Sequence, residues 1–349
     1  MVPQVKETAW LEWITGLMGA GPRRTHTAAL PPDQFHCLLD ELPLHLIPQR
    51  EFDLELWRST LSDRQLIFNP QCSVLAAGQV PEELKPLKHS LQGFCLESTL
   101  AWVRDPIFGA LQPFWLGPRL EAVISDMRPG DPVSASVPEN AKVPLAAAGI
   151  FTFEGETERR LAEWRQVAKT TARQFREKGY CPLGNLIHPF HIAALRRYYR
   201  HSIRAGKIRL GDEQSQRRYV AHNDSVARFF HYQIANAVGA VVDEAIKPSY
   251  VYFASYLSGA ELKKHIDRSQ CEFSVTLCLD FSPEPQLATS WPLRLDTPEG
   301  AVTVYQAIGD GLVYRGTKLP HYRSTLADGH TSTSIFFHYV PADFAGPLD

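Results

Sequence analysis

The stretch Lys264-His265-Ile266-Asp267-Arg268 sets an imidazole and a carboxylate two residues apart, and a further histidine, His321, follows late in the chain. Alternate residues of a β-strand share a face, so on a strand His265 and Asp267 point to the same side. A later strand pairing back onto this one can add His321. Two imidazoles and one carboxylate on one side of a metal leave half its coordination sphere open, which is the ligand set that holds ferrous iron for chemistry with O2. The spacing alone is weak, because His222-Asn223-Asp224 repeats it. Those residues precede a helical pattern that Asp224 is suited to cap, so they are assigned no metal. His265-Ile266-Asp267 instead follows a turn at Ser258-Gly259-Ala260 and precedes an alternating strand.

That alternation predicts the elements that must position the site. Tyr250 to Tyr256 is strand-like, and Phe273, Val275, Leu277, Leu279 and Phe281 alternate with polar residues. Further short strands are expected over 292–295, 301–305, 311–314, 321–325 and 333–340, separated by turn signals such as Thr297-Pro298-Glu299-Gly300 and Asp328-Gly329. Short strands with turns about every ten residues indicate an antiparallel sandwich or barrel. Before them come helices. Glu156 to Lys178 has Leu161, Trp164, Val167, Ala168, Thr171 and Phe175 at helical spacing, Thr157 as a candidate cap and Gly179 to close it. Pro189 opens another helix, and Val226 to Ile246 reads as one helix capped by Asn223-Asp224-Ser225.

Residues 1–150 carry no chemistry that can be read from spacing. Glu7 to Met18, a helix started by Pro31-Pro32-Asp33 with Phe35, Leu38, Leu39 and Leu42 inward, and Phe52 to Leu66 all show helical apolar spacing. The proline-rich stretch from Leu116 to Ala147 is irregular. His26, His36, His45 and His89 have no carboxylate partners in sequence and read as surface or satisfied core histidines.

The chain has 349 residues, enough for two domains. Its 36 basic and 38 acidic residues give a net charge of −2, which offers no field for nucleic acid or an anionic membrane. No apolar run approaches the roughly 18 residues of a membrane span, and the N-terminus lacks a signal-peptide core, so a cytoplasmic location is expected. The six scattered cysteines are expected to be reduced thiols.

Residues 179–340 resemble the Fe(II)/2-oxoglutarate-dependent dioxygenase superfamily, in the branch that includes prolyl and amino-acid hydroxylases. The resemblance is carried by YFASYLSGAELKKHID (Tyr252 to Asp267), GDGLVYRG (Gly309 to Gly316) and LPHYR (Leu319 to Arg323). It implies iron held by His265, Asp267 and His321, with 2-oxoglutarate and O2 as cosubstrates, on a double-stranded β-helix, or jelly-roll, core. Members of the family supply an Arg or Lys for the distal carboxylate of 2-oxoglutarate nine to eleven residues after the second metal histidine. Here that window is His330-Thr331-Ser332. Arg323, two residues after His321, is the leading cation, since its planar fork can hold a carboxylate bidentately. His330, Ser332, Ser334, Tyr252 and Tyr256 are candidates for hydrogen bonds to the same group. Arg268 and Arg315 are candidates for an acidic group on the substrate.

The expected fold is therefore α+β: a jelly-roll flanked by helices, preceded by a mostly helical N-terminal region. The expected divisions are 1–150, serving as a lid, docking or dimerisation region; 151–178, a bridging helix; and 179–349, the oxygenase domain. The expected activity is hydroxylation of an aliphatic C–H in an amino-acid-like small molecule, for example a cyclic imino acid. A peptidyl or carrier-tethered residue is the alternative substrate, and a metal- or ligand-binding jelly-roll the alternative that is not an enzyme. Oligomeric state has no sequence signature.

Overall fold

The computed structural model describes residues 30–48, 61 and 65–349. The expected helix over Glu7–Met18 and nearly all of that over Phe52–Leu66 lie outside the described residues. Those described before residue 150 are not mostly helical. Strand β1 (Leu66–Phe68) is followed by β2 (Cys72–Leu75), β3 (Leu100–Arg104) and β4 (Leu111–Trp115), and the last three form an antiparallel sheet. Two short α-helices follow, α1 (Pro118–Ile124) and α2 (Glu139–Ala147), then β5 (Phe151–Phe153), which returns to pair with β1.

The helix expected from Pro31 is replaced by a turn and two short 3-10 segments. Tertiary contacts override propensity here. Phe35 and Leu38 form single parallel bridges to Phe94 and Trp115, which holds the backbone extended. Phe35 is fully buried among Phe94, Trp115, Tyr198 and Phe230.

Helix α3 (Glu156–Lys178) has the expected bounds. Its caps are both glycines: Gly155 and Gly179 adopt left-handed backbone, and the Gly179 N–H bonds the Phe175 carbonyl. Thr157 lies inside the first turn instead of capping it. Strand β6 (Tyr180–Leu183) leads into α4 (Pro189–Arg204), with proline in its first turn. The hairpin β7 (Arg209–Leu210) and β8 (Arg218–His222) comes next. The single helix expected over Val226–Ile246 is divided into α5 (Ser225–Gln233) and α6 (Ala235–Val242), and Asp224 caps the first by accepting from the Ala227 N–H.

Strands β9 (Ile246–Tyr256) to β16 (Thr331–Pro341) are divided between two facing sheets, alternating except for one hairpin in the smaller sheet. Between them run β10 (Leu262–His265), β11 (Phe273–Ser282), β12 (Leu293–Thr297), β13 (Gly300–Val304), β14 (Gly311–Arg315) and β15 (His321–Arg323). The larger sheet has the order β6-β14-β11-β16-β9-β8-β7 and the smaller β10-β15-β12-β13, with antiparallel neighbours throughout. This is the expected double-stranded β-helix.

The two faces of the larger sheet do different work. Val251, Phe253, Val275, Leu277, Ile335 and Phe337 project to one side and share a core with α4 and α5. That core continues without a break into the N-terminal sheet through Phe35, Trp102 and Trp115, across the expected boundaries at 150 and 178. The alternate residues face the smaller sheet: Tyr250, Tyr252 and Tyr256 on β9, Ser274 and Thr276 on β11, and Ser332, Ser334, Phe336 and His338 on β16. The site lies in the space between the sheets.

Candidate metal centre

Cross-strand pairing brings the two histidines together. His265 at the end of β10 stands directly opposite His321 at the start of β15, with ring centroids 4.3 Å apart. Asp267 lies two residues beyond the end of β10, in a loop. Its position is set by its backbone N–H, which donates to the Gly316 carbonyl at 2.9 Å. The intervening Ile266 points outward and is exposed.

Each histidine has one nitrogen fixed. His265 Nδ1 lies 2.8 Å from the Lys263 carbonyl and His321 Nδ1 lies 3.0 Å from the Leu319 carbonyl. A carbonyl can only accept, so both Nδ1 atoms carry the proton and both Nε2 atoms present a lone pair. Asp267 Oδ1 is 3.6 Å from His265 Nε2 and 3.5 Å from His321 Nε2. Metal–ligand bonds of about 2 Å at right angles place neighbouring ligand atoms about 3 Å apart, so a small inward closure completes a three-ligand face. Burial lowers the pKa of His321, while the Asp267 charge acts in the opposite direction. The donor set therefore fits a divalent metal.

A cleft of about 820 Å³ opens onto these atoms, and Tyr252, Tyr256, Arg268, Tyr314 and Phe336 are among the residues that line it. The Tyr314 hydroxyl is 3.4 Å from both His321 Nε2 and Thr276 Oγ1, and burial raises its pKa well above the usual phenol value.

Arg323 shares a strand face with His321 and is buried. Its guanidinium lies 4.9 Å from the centre of the Trp291 ring, donates to the Trp291 carbonyl, and reaches Gln306 Oε1 at 3.3 Å. No carboxylate among the described residues pairs with it. Burial holds its pKa below the usual arginine value, opposed by Cys278, Tyr256 and Tyr314.

The other expected residues are distributed unequally around the site. Ser332 and Ser334 are buried on the inward face of β16. The Tyr256 hydroxyl accepts from Arg218 Nη1 at 2.9 Å, whereas the Tyr252 hydroxyl donates to Asp212 at 2.6 Å. His330 lies in the turn before β16, its Nδ1 on the Asp328 carbonyl; like the more deeply buried Arg323, Ser332 and Ser334, it is not among the residues that line the cleft. Arg268 does line it, with its guanidinium 4.4 Å from the centre of the Tyr250 ring and Nε 3.3 Å from the Tyr250 hydroxyl. Arg315 lies outside the cleft, ion-paired with Glu272 at 3.0 Å and Glu244 at 3.2 Å and flanked by the rings of Phe175 and Phe273.

His222 and Asp224 diverge, as their context suggests. Asp224 caps α5 and accepts from the Tyr199 hydroxyl, while His222 pairs with Asp349. All six cysteines are free and buried. Sequence spacing missed Tyr250, Ser274, Tyr314 and His338. The available signal was polar residues at inward positions of otherwise apolar strands.

No family model matches the sequence, and no curated protein matches it. Solved structures do show similarity. A prolyl-4-hydroxylase from Pseudomonas putida is 15% identical, with 50% of this chain and 98% of that one covered and a TM-score of 0.41. AviO1 from Streptomyces viridochromogenes Tue57 is 19% identical over 52% of this chain and 97% of that one, with a TM-score of 0.42. HygX from Streptomyces hygroscopicus, with nickel, 2-oxoglutarate and hygromycin B bound, is 12% identical over 50% of this chain and 88% of that one, with a TM-score of 0.41. Among the described residues no helix is long and apolar enough to cross a membrane.

Proposed function

We propose that the chain is an Fe(II)- and 2-oxoglutarate-dependent dioxygenase that hydroxylates an aliphatic C–H bond of a carboxylate-bearing, amino-acid-like small molecule. The observation that carries this reading is a combination within one barrel. Three lone pairs converge on one point, and a buried guanidinium without a carboxylate partner stands close to them. A module that only stored a metal or bound a sugar would gain nothing from that guanidinium.

His265, His321 and Asp267 would hold the iron through Nε2, Nε2 and Oδ1, with the Lys263 and Leu319 carbonyls keeping the imidazoles in the required tautomer. Iron bound there with 2-oxoglutarate supplies oxidative decarboxylation by O2, giving succinate, CO2 and the oxidant for a C–H bond. Arg323 receives the distal carboxylate of 2-oxoglutarate, with Tyr256, Ser332 and Ser334 as hydroxyl partners on the same inner wall. The buried Trp291 and Leu293 keep that wall dry, with Phe336 half-buried beside them, which strengthens the charge pairing. At the outer rim Arg268 receives a carboxylate of the substrate. Its face is held by Tyr250.

The test is succinate release by purified protein with Fe(II), ascorbate and 2-oxoglutarate. Uncoupled succinate formation is expected, and it should disappear in His265→Ala and in Asp267→Ala. Small carboxylates should raise it above the uncoupled rate, whereas their methyl esters should not. Absence of succinate under all these conditions, together with no metal-dependent binding of 2-oxoglutarate, would end the enzyme reading.

A further inference from the structure

We infer that Ser274, His338 and Gly316 form a clamp that makes Asp267 a one-oxygen ligand; this rests on the metal reading of the triad proposed above. The starting point is a second group of potential ligands. Asp267, Cys271 and His338 bring ligand atoms within 4.8 Å of one another, beside the triad and sharing its carboxylate. By composition this could be a second metal site, but the hydrogen bonds assign it another role.

Ser274 Oγ lies between the two ionisable members, 2.7 Å from Asp267 Oδ2 and 2.9 Å from His338 Nδ1. A carboxylate has no proton to give, so the single serine proton goes to Oδ2. The serine lone pair then receives the Nδ1–H of His338, which leaves that nitrogen unable to bind a metal. Cys271 Sγ is engaged as well, 3.0 Å from the Tyr250 hydroxyl. These contacts are built into the main sheet. Ser274 on β11 is opposite His338 on β16 and Tyr314 on β14, and both clamp side chains are buried.

Gly316 closes the other side. Its carbonyl accepts the Asp267 N–H, and a Cβ at this position would sit 2.4 Å from Asp267 Oδ2 and 2.6 Å from Ser274 Oγ. The reason for glycine here is space, since any side chain would expel the carboxylate from its seat. With Oδ2 hydrogen-bonded by Ser274 and walled in by Gly316, Oδ1 is the oxygen that faces the histidine Nε2 atoms. Asp267 then occupies one coordination position, leaving the others for cosubstrate and O2. Released from the clamp, the carboxylate is free to rotate away from the position in which Oδ1 meets the two histidine nitrogens, which weakens metal binding.

The test is calorimetric titration of the full chain with Co(II), with circular dichroism and Tm as controls for folding. The wild type should bind one Co(II) per chain. Ser274→Ala and His338→Leu should bind it about 10- to 100-fold more weakly at unchanged fold, while His338→Asn, whose amide N–H can replace Nδ1–H, should return to within about threefold of wild type. Wild-type affinity in Ser274→Ala, equal weakness in His338→Asn and His338→Leu, or two Co(II) per wild-type chain would each overturn the clamp. If Ser274→Ala does not fold, the two His338 variants decide. His265→Ala separates the two levels: if it binds Co(II) like wild type the triad reading fails, and if it loses binding while Ser274→Ala does not, only the clamp fails.

Discussion

Two buried arginines in this molecule look alike by exposure and differ in what surrounds them. Arg196, on α4, is fully buried and neutralised, with Asp280 at 2.8 Å and Glu284 at 2.5 Å, and it also donates to the Leu46 carbonyl. Arg323, on the smaller sheet, is nearly as buried, and its hydrogen-bond partners among the described residues are the Trp291 carbonyl and Gln306. A third, Arg218, follows the first pattern, with Asp212 at 2.5 Å. A buried charge is costly unless it is paired. Arg196 is complete within the chain, while Arg323 has no carboxylate partner among the described residues. That missing counter-charge is the reason we propose that Arg323 binds an anion and Arg196 is structural.

Substitution should separate the two regions most strongly through stability. Arg196→Met removes a buried partner of Asp280 and Glu284, while Arg200 still holds Asp280 at 2.6 Å and Glu284 is half exposed. It is expected to cost about 1.5–3 kcal/mol of unfolding free energy in denaturant titration, with succinate release per folded molecule unchanged. Arg323→Met removes an uncompensated charge and should leave the cosubstrate-free protein as stable as before or more so. A large stability loss in Arg323→Met would abolish the distinction drawn between the regions.

Acid sharpens the same contrast. The seam joining α4 and α5 to the N-terminal sheet and the main sheet contains three neutral histidines. Burial pushes His188 down to about 4 and His191 and His231 down to about 3, while their bonds to the Ala147, Pro113 and His338 carbonyls resist the shift. Their folded pKa values lie below the unfolded value near 6.5, so below that pH the unfolded chain takes up more protons. Stability from these residues is fully present above pH 6.5. It should fall by up to about 1.4 kcal/mol per histidine per pH unit as acid is added, until the folded values are reached. Denaturant titrations from pH 7 to pH 4 check this; a flat profile would mean the histidines are not held neutral.

How much of this was legible in the sequence depends on the range of the interactions. The triad was legible because a strand places its side chains by local geometry and the turns mark where the chain reverses. Even so, Asp267 was expected on a strand and lies past its end, held by a backbone bond to Gly316 that spacing does not encode. Arg315 and Arg323 stand six and two residues from His321, and local pattern cannot rank them. What separates them is that folding brings Glu244 and Glu272 to Arg315 and, among the described residues, no acid to Arg323. Tyr252 and Tyr256 share a strand face, yet Asp212, from the β7–β8 loop, captures the first hydroxyl. The helix expected from Pro31 was lost for the same reason, since Phe35 is positioned by partners far away in the chain.

The central claim is that Arg323 receives the distal carboxylate of 2-oxoglutarate. Anaerobic calorimetric titration of 2-oxoglutarate into Mn(II)-loaded protein, wild type against Arg323→Met, tests it most directly. Loss of a buried, charge-assisted carboxylate contact predicts about 10- to 100-fold weaker 2-oxoglutarate binding with metal affinity unchanged. Equal 2-oxoglutarate affinity in the two proteins would contradict the account.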